Sequence, residues 1–190
     1  MTPMATGVFR TLRCERSSTF SRAKPPQRVP LTDTIEPLNF CRGDGGYSAD
    51  GNPSDEPPTP PPSVPDRVAN AVSDLPTRPD AAYIYRLSGD DNPLHVDPGV
   101  ARNAGFDRPI LHGLATWGVA AHAVLKTACE NDPTRLVQFR SRCTAPVYPG
   151  EKIRTEVWRA NGTVQFRSRV VERDIVVLDF GYAEIRRGGT

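Results

Sequence analysis

Long apolar runs are missing from this 190-residue chain, and so is any marked excess of charge. No stretch is apolar for long enough to cross a bilayer, which takes about 20 residues as a helix. The 24 basic and 22 acidic residues leave a formal net charge of +2, with no basic stripe to track a nucleic-acid backbone. Cysteine is scarce. Cys14, Cys41, Cys129 and Cys143 have neither close pairing nor metal-ligand spacing, so free thiols are expected rather than disulfides or zinc. A chain of this length is expected to form one domain, or one domain with tails.

Proline is plentiful but uneven, with 14 of the 20 in residues 1–80. The cluster Pro57, Pro58, Pro60, Pro61, Pro62 and Pro65 removes backbone donors and breaks helices, so it reads as an extended linker. The first half has little periodic apolar pattern and is expected to be largely disordered. Residues 1–65 are taken as a Pro-rich tail and linker, and residues 66–190 as the folded domain. The first 32 residues carry six Lys/Arg and one acid among many Ser and Thr. That fits a basic tail or a weak mitochondrial transit peptide. Arg187-Gly188-Gly189-Thr190 is not a Ser-Lys-Leu type peroxisomal address.

From residue 81 the pattern is that of a compact α+β unit. Ala81 to Leu87 and Pro98 to Gly105 read as short helices, the second ending at Gly105. Leu111 to about Cys129 is rich in Ala and Leu. Leu114, Gly118, Ala121, Leu125 and Ala128 recur at helical spacing, which predicts a helix with that face buried. Its small residues permit close approach to a sheet, and Asn131-Asp132-Pro133 ends it. Strand patterns follow at Val137–Val147, around Ile153–Trp158, at Val164–Val170 and at Ile175–Ile185. Asn161-Gly162 predicts a type I′ turn between antiparallel strands. One buried helix before an antiparallel meander calls for a sheet wrapped around the helix.

The most informative run is Tyr85-Arg86-Leu87-Ser88-Gly89-Asp90-Asp91-Asn92-Pro93-Leu94-His95-Val96-Asp97-Pro98. It places a carboxylate, an amide and an imidazole on one polar loop. Pro109-Ile110-Leu111-His112-Gly113-Leu114 then opens the apolar helix. An acid/base pair facing a free N–H at a helix start suits the addition or removal of water beside a carbonyl.

The Gly-Asp-x-Asn-Pro-Leu-His run resembles the signature of type 2 (R-specific) enoyl-CoA hydratases, of the MaoC-like hot-dog family. The resemblance is strong from about Tyr83 to Gly150 and weaker to Glu184. It implies a single hot-dog repeat, with an antiparallel sheet around a central helix and a disordered N-terminal region. It implies reversible hydration of trans-2-enoyl-CoA to (R)-3-hydroxyacyl-CoA, a peroxisomal setting, and no cofactor or metal beyond the CoA of the substrate. Carried over residue by residue, Asp90 and His95 become the catalytic pair, Asn92 positions water and substrate, and the Gly113 N–H polarises the thioester carbonyl. Asp91, Pro93, Leu94 and Cys143 join these as substrate-binding candidates. Cys143 stands where the family pattern has a larger apolar residue.

Eukaryotic members of that family join two repeats, and this chain has one. Phe40-Cys41-Arg42-Gly43-Asp44-Gly45-Gly46-Tyr47 resembles the end of the missing first repeat. The expected partners are an acyl-CoA thioester and either a second copy of the chain, as a homodimer, or another hot-dog chain; neither nucleic acid nor membrane is expected. The alternatives are a dehydratase acting on a biosynthetic acyl thioester, a non-catalytic hot-dog interaction subunit and, more remotely, a thioesterase. Plainer readings attach to several residues. Asp90 and Asn92 also suit a turn, Asp97 a helix cap, Arg140 and Arg142 a solvated strand face, Tyr148-Pro149-Gly150 a turn, and His122 an exposed helical position.

Overall fold

The computed structural model describes Gly51 and residues 62–186. Most of the tail expected over 1–65 lies outside these residues, as do the Phe40–Tyr47 run and both N-terminal cysteines. Five antiparallel strands form one sheet: β1 (Ala71–Pro76), β2 (Leu136–Cys143), β3 (Lys152–Ala160), β4 (Thr163–Val170) and β5 (Ile175–Ile185). Three helices precede β2: α1 (Ala81–Leu87), α2 (Pro98–Asn103) and α3 (Gly113–Ala128). The sheet order is β1-β3-β4-β5-β2. A meander of β3, β4 and β5 is thus flanked by β1 and β2, and the sheet packs around α3. This is the α+β hot-dog arrangement that pattern and resemblance predict.

Strict alternation along β4 sends Val164, Phe166, Ser168 and Val170 inward, and Ile153, Thr155 and Val157 of β3 join them. The buried hydroxyls of Thr155 and Ser168 satisfy each other at 2.9 Å. Asn161 and Gly162 both have positive φ (45° and 85°), as a type I′ turn requires, and they join β3 to β4 as expected.

Two expectations need correction. β1 lies inside the folded domain taken from residue 66, at a segment that the sequence pattern did not predict as a strand. Ala-Val-Ser-Asp-Leu-Pro is a poor strand pattern, and the segment is held by its ladder to β3 and by the ion pair of Asp74 with Arg154 at 2.7 Å. The second concerns α3. Its buried residues are Ala115, Thr116, Ala120, Ala123 and Val124, whereas Leu114 and Gly118 are exposed and Ala121, Leu125 and Ala128 half-buried. The helix is apolar almost all round, so two stripes compete at helical spacing. The sheet takes the one built of small residues, which allows closer approach, and leaves the other facing outward.

Candidate active site

The site is assembled from the loop after α1 and the segment that enters α3. Gly89 adopts φ 108°, a left-handed conformation that turns the chain back so that the Asp90 N–H donates to the Tyr85 carbonyl at 3.1 Å. The Asp90 carboxylate accepts weakly from the Asn92 N–H at 3.4 Å. Asn92 Oδ1 accepts from the Leu94 N–H at 3.0 Å and caps a single 3₁₀ turn, Pro93–His95. The local turn read from Asp90 and Asn92 is therefore present, and it is what presents His95. Asp97 caps α2 by accepting from the Gly99 and Val100 N–H groups.

His95 Nδ1 lies 2.8 Å from the Ile110 carbonyl. A carbonyl only accepts, so Nδ1 carries the proton and Nε2 keeps its lone pair free. One residue on, the Leu111 N–H donates to the Val147 carbonyl at 2.7 Å. This fixes the chain as it turns into α3 at His112 and Gly113. Gly113 is the first helical residue, so its N–H has no partner within the helix and sits at the positive end of the helix dipole. The Cys143 sulfur would be 3.7 Å from a Cβ built on Gly113, which places the end of β2 beside that N–H.

His112 is a residue that the carried-over motif left without a role. It is 3% exposed and lies between two rings: Tyr85, stacked at 4.7 Å between centroids, and His95, stacked at 3.6 Å. Its Nε2 is 3.5 Å from an Asp90 carboxylate oxygen, and neither ring nitrogen has a hydrogen-bond partner among the described residues. Burial holds its imidazole below the ordinary histidine value, the nearby His95 adds to the effect and the Asp90 carboxylate opposes it. The position of His112 directly before Gly113, at a helix start that the motif already marked, was the available signal.

One titratable atom from each of Asp90, His95 and His112 lies within 4.8 Å of the others. That spacing suits a shared water or proton. It fits a cation poorly, because rings lying face to face hold their lone pairs in near-parallel planes, whereas a metal at about 2.0–2.1 Å from both needs them to converge.

Other candidates sit elsewhere or act otherwise. Asp91 is exposed, and its carbonyl accepts from Arg86 at 3.2 Å. Arg140 and Arg142 are exposed on β2, with Arg140 over the Tyr182 ring. His122 is exposed on α3. Tyr148-Pro149-Gly150 is a turn in which Gly150 has φ 95°.

The pattern of the MaoC-like domain matches residues 61–179. A probable enoyl-CoA hydratase 2 of Dictyostelium discoideum is 45% identical over 148 residues, covering 77% of this chain and 49% of that protein. The peroxisomal enoyl-CoA hydratase 2 of Arabidopsis thaliana is 42% identical over 152 residues, again covering 77% and 49%. The chain thus spans about half the length of these curated relatives. Among solved structures, a MaoC-like dehydratase from Phytophthora capsici superimposes with a TM-score of 0.73 at 37% identity, over 80% of this chain and 52% of that one. With its sheet wrapped around α3 and its Asp-Asn-His loop facing the helix start, the chain belongs to the MaoC-like domain family.

Proposed function

We propose that this chain adds water to trans-2-enoyl-CoA, giving (R)-3-hydroxyacyl-CoA, and catalyses the reverse dehydration at the same site. The observation that carries the reading is the free Nε2 of His95, held by the Ile110 carbonyl, next to the half-exposed carboxylate of Asp90. A water between them loses a proton to this pair as its oxygen bonds to C3. The C2–C3 double-bond electrons move onto the thioester oxygen, which the Gly113 N–H and the helix dipole stabilise. The enolate then collapses as the pair returns a proton to C2. Asn92, Pro93 and Leu94 shape the loop side of the acyl site, and Cys143 flanks the thioester beside Gly113. The names of the relatives support hydration or dehydration of acyl-CoA, and half of each relative's length has no counterpart here.

The test is incubation of the purified chain with crotonyl-CoA, following loss of the conjugated enoyl thioester and the chirality of the product. Accumulation of the (R)-3-hydroxy thioester is expected. An unchanged enoyl signal from a folded protein, at any concentration up to that of the substrate, would overturn the reading. The name of the Arabidopsis relative favours a peroxisomal location; fractionation that recovers the chain with another compartment would refute this.

A further inference from the structure

We propose that His112 is a positioning residue for the acid/base pair, its buried imidazole holding the Asp90 carboxylate against His95. The inference rests on the hydration reading for its kinetic part and on geometry alone for the rest.

Burying a polar ring without hydrogen bonds is unfavourable, and His112 is buried with both nitrogens unpartnered among the described residues. An apolar ring would fill the same space between Tyr85 and His95 at no such cost. Among the described residues, the anion that pairs with it is Asp90, 3.5 Å from Nε2. That is slightly beyond hydrogen-bond length, and a small shift of the carboxylate toward Nε2 makes the bond. Nε2 is therefore the protonated nitrogen of the neutral ring. The groups packed against His112 are Tyr85 from α1, and Asp90 and His95 from the following loop.

The stack with His95 sets the second part of the role. Two imidazoles 3.6 Å apart cannot both be cationic without strong repulsion. Burial keeps His112 the neutral member. The charge that develops as water loses its proton is then confined to His95 and Asp90, the two groups that reach solvent and substrate. His112 touches neither water nor thioester in this scheme; it acts through Asp90 and His95.

Two variants separate this from simple core filling. His112→Phe keeps a flat ring in the stack and removes the nitrogens, and His112→Gln keeps a donor and loses the ring. With crotonyl-CoA, His112→Phe should lower kcat about tenfold, the scale of one hydrogen bond to a charged group, with KM within about twofold. The acid limb of its pH profile should move, because His112 no longer faces the acid/base pair. His112→Gln should recover part of kcat. A His112→Phe enzyme with parental kcat and acid limb overturns the proposal.

The second arm needs no turnover. The chain has three histidines, so labelled imidazoles can be titrated by NMR, with His112 identified by its loss in His112→Phe. His112 should titrate below the ordinary histidine value, and Asp90→Asn should push it lower still by removing the nearby anion. A His112 midpoint indifferent to Asp90→Asn overturns the proposal. If the parent leaves crotonyl-CoA untouched while this coupling is present, the hydration reading fails and the held carboxylate stands.

Discussion

At the scale of the residue, function and stability meet in Asp90, His95 and His112. Asp90→Asn and His95→Gln should each reduce turnover of crotonyl-CoA about 10²–10⁴-fold, the usual range for a positioned acid or base, with the melting temperature nearly unchanged. Near-parental turnover in either variant would remove that residue from the mechanism. His112 also adds a pH slope to stability. The unfolded chain protonates this histidine near its ordinary value of about 6.5, and the folded chain only at lower pH. Between those points the unfolded state binds the extra proton, so stability falls as pH drops below about 6.5, and His112 contributes no slope above it. Melting temperatures from pH 7.5 to 5.5 should therefore decline less steeply in His112→Phe than in the parent. Asp90, His95 and Gly113 were legible as candidates because the chemistry needs those groups at that spacing. His112 was not, because its importance lies in which way a ring faces across a fold, and spacing along the chain carries no such information.

Among the elements, the entry to α3 is held by a buttress from the turn between β4 and β5. Arg173, in the turn between β4 and β5, donates to the buried Glu151 at 2.6 and 2.8 Å. Glu151 also accepts from the Tyr148 N–H at 2.7 Å, which steadies the turn whose Val147 carbonyl receives Leu111. Burial alone would raise the Glu151 carboxyl, but the bonds from Arg173 and the Tyr148 N–H outweigh it and hold the group below its ordinary value. Glu151→Ala should cost about 3 kcal/mol, as loss of one partner of a buried pair does, and should weaken turnover through the displaced helix start. A melting temperature within a degree of the parent would refute this. Gly181 gives a sharper test. A Cβ there would collide with the Phe166 carbonyl oxygen, a backbone atom that cannot swing aside. Gly181→Ala should therefore destabilise by about 3 kcal/mol or more, read by denaturant unfolding. Helices, meander and hairpin turn were readable because propensity and periodicity agreed. β1 was not, since its order comes from pairing with β3, a partner about 80 residues away. The buried stripe of α3 was misread because two apolar stripes fit one helix, and only the sheet chooses between them.

For the whole molecule, the question is what covers the surfaces that one repeat leaves bare. β2 is an edge of the sheet, and one side of its backbone has no strand partner among the described residues. Val137 on that strand is 55% exposed, and Leu114 on the outward stripe of α3 is 70% exposed. An unpaired edge beside an apolar helix flank invites association, and the relatives carry about as much chain again. A second copy is the simplest source of a matching surface, because a two-fold axis lets each copy cover the other's edge with the same residues. The chain should therefore run as a homodimer at micromolar concentration. Lys in place of both Val137 and Leu114 should shift it toward monomer and lower activity in step, with Asp90, His95 and His112 untouched. Light scattering and turnover measured on one sample decide the matter. A fully active monomer in the parent would show that one repeat suffices. An inactive monomer that gains activity with a different hot-dog chain would instead make that chain the natural partner.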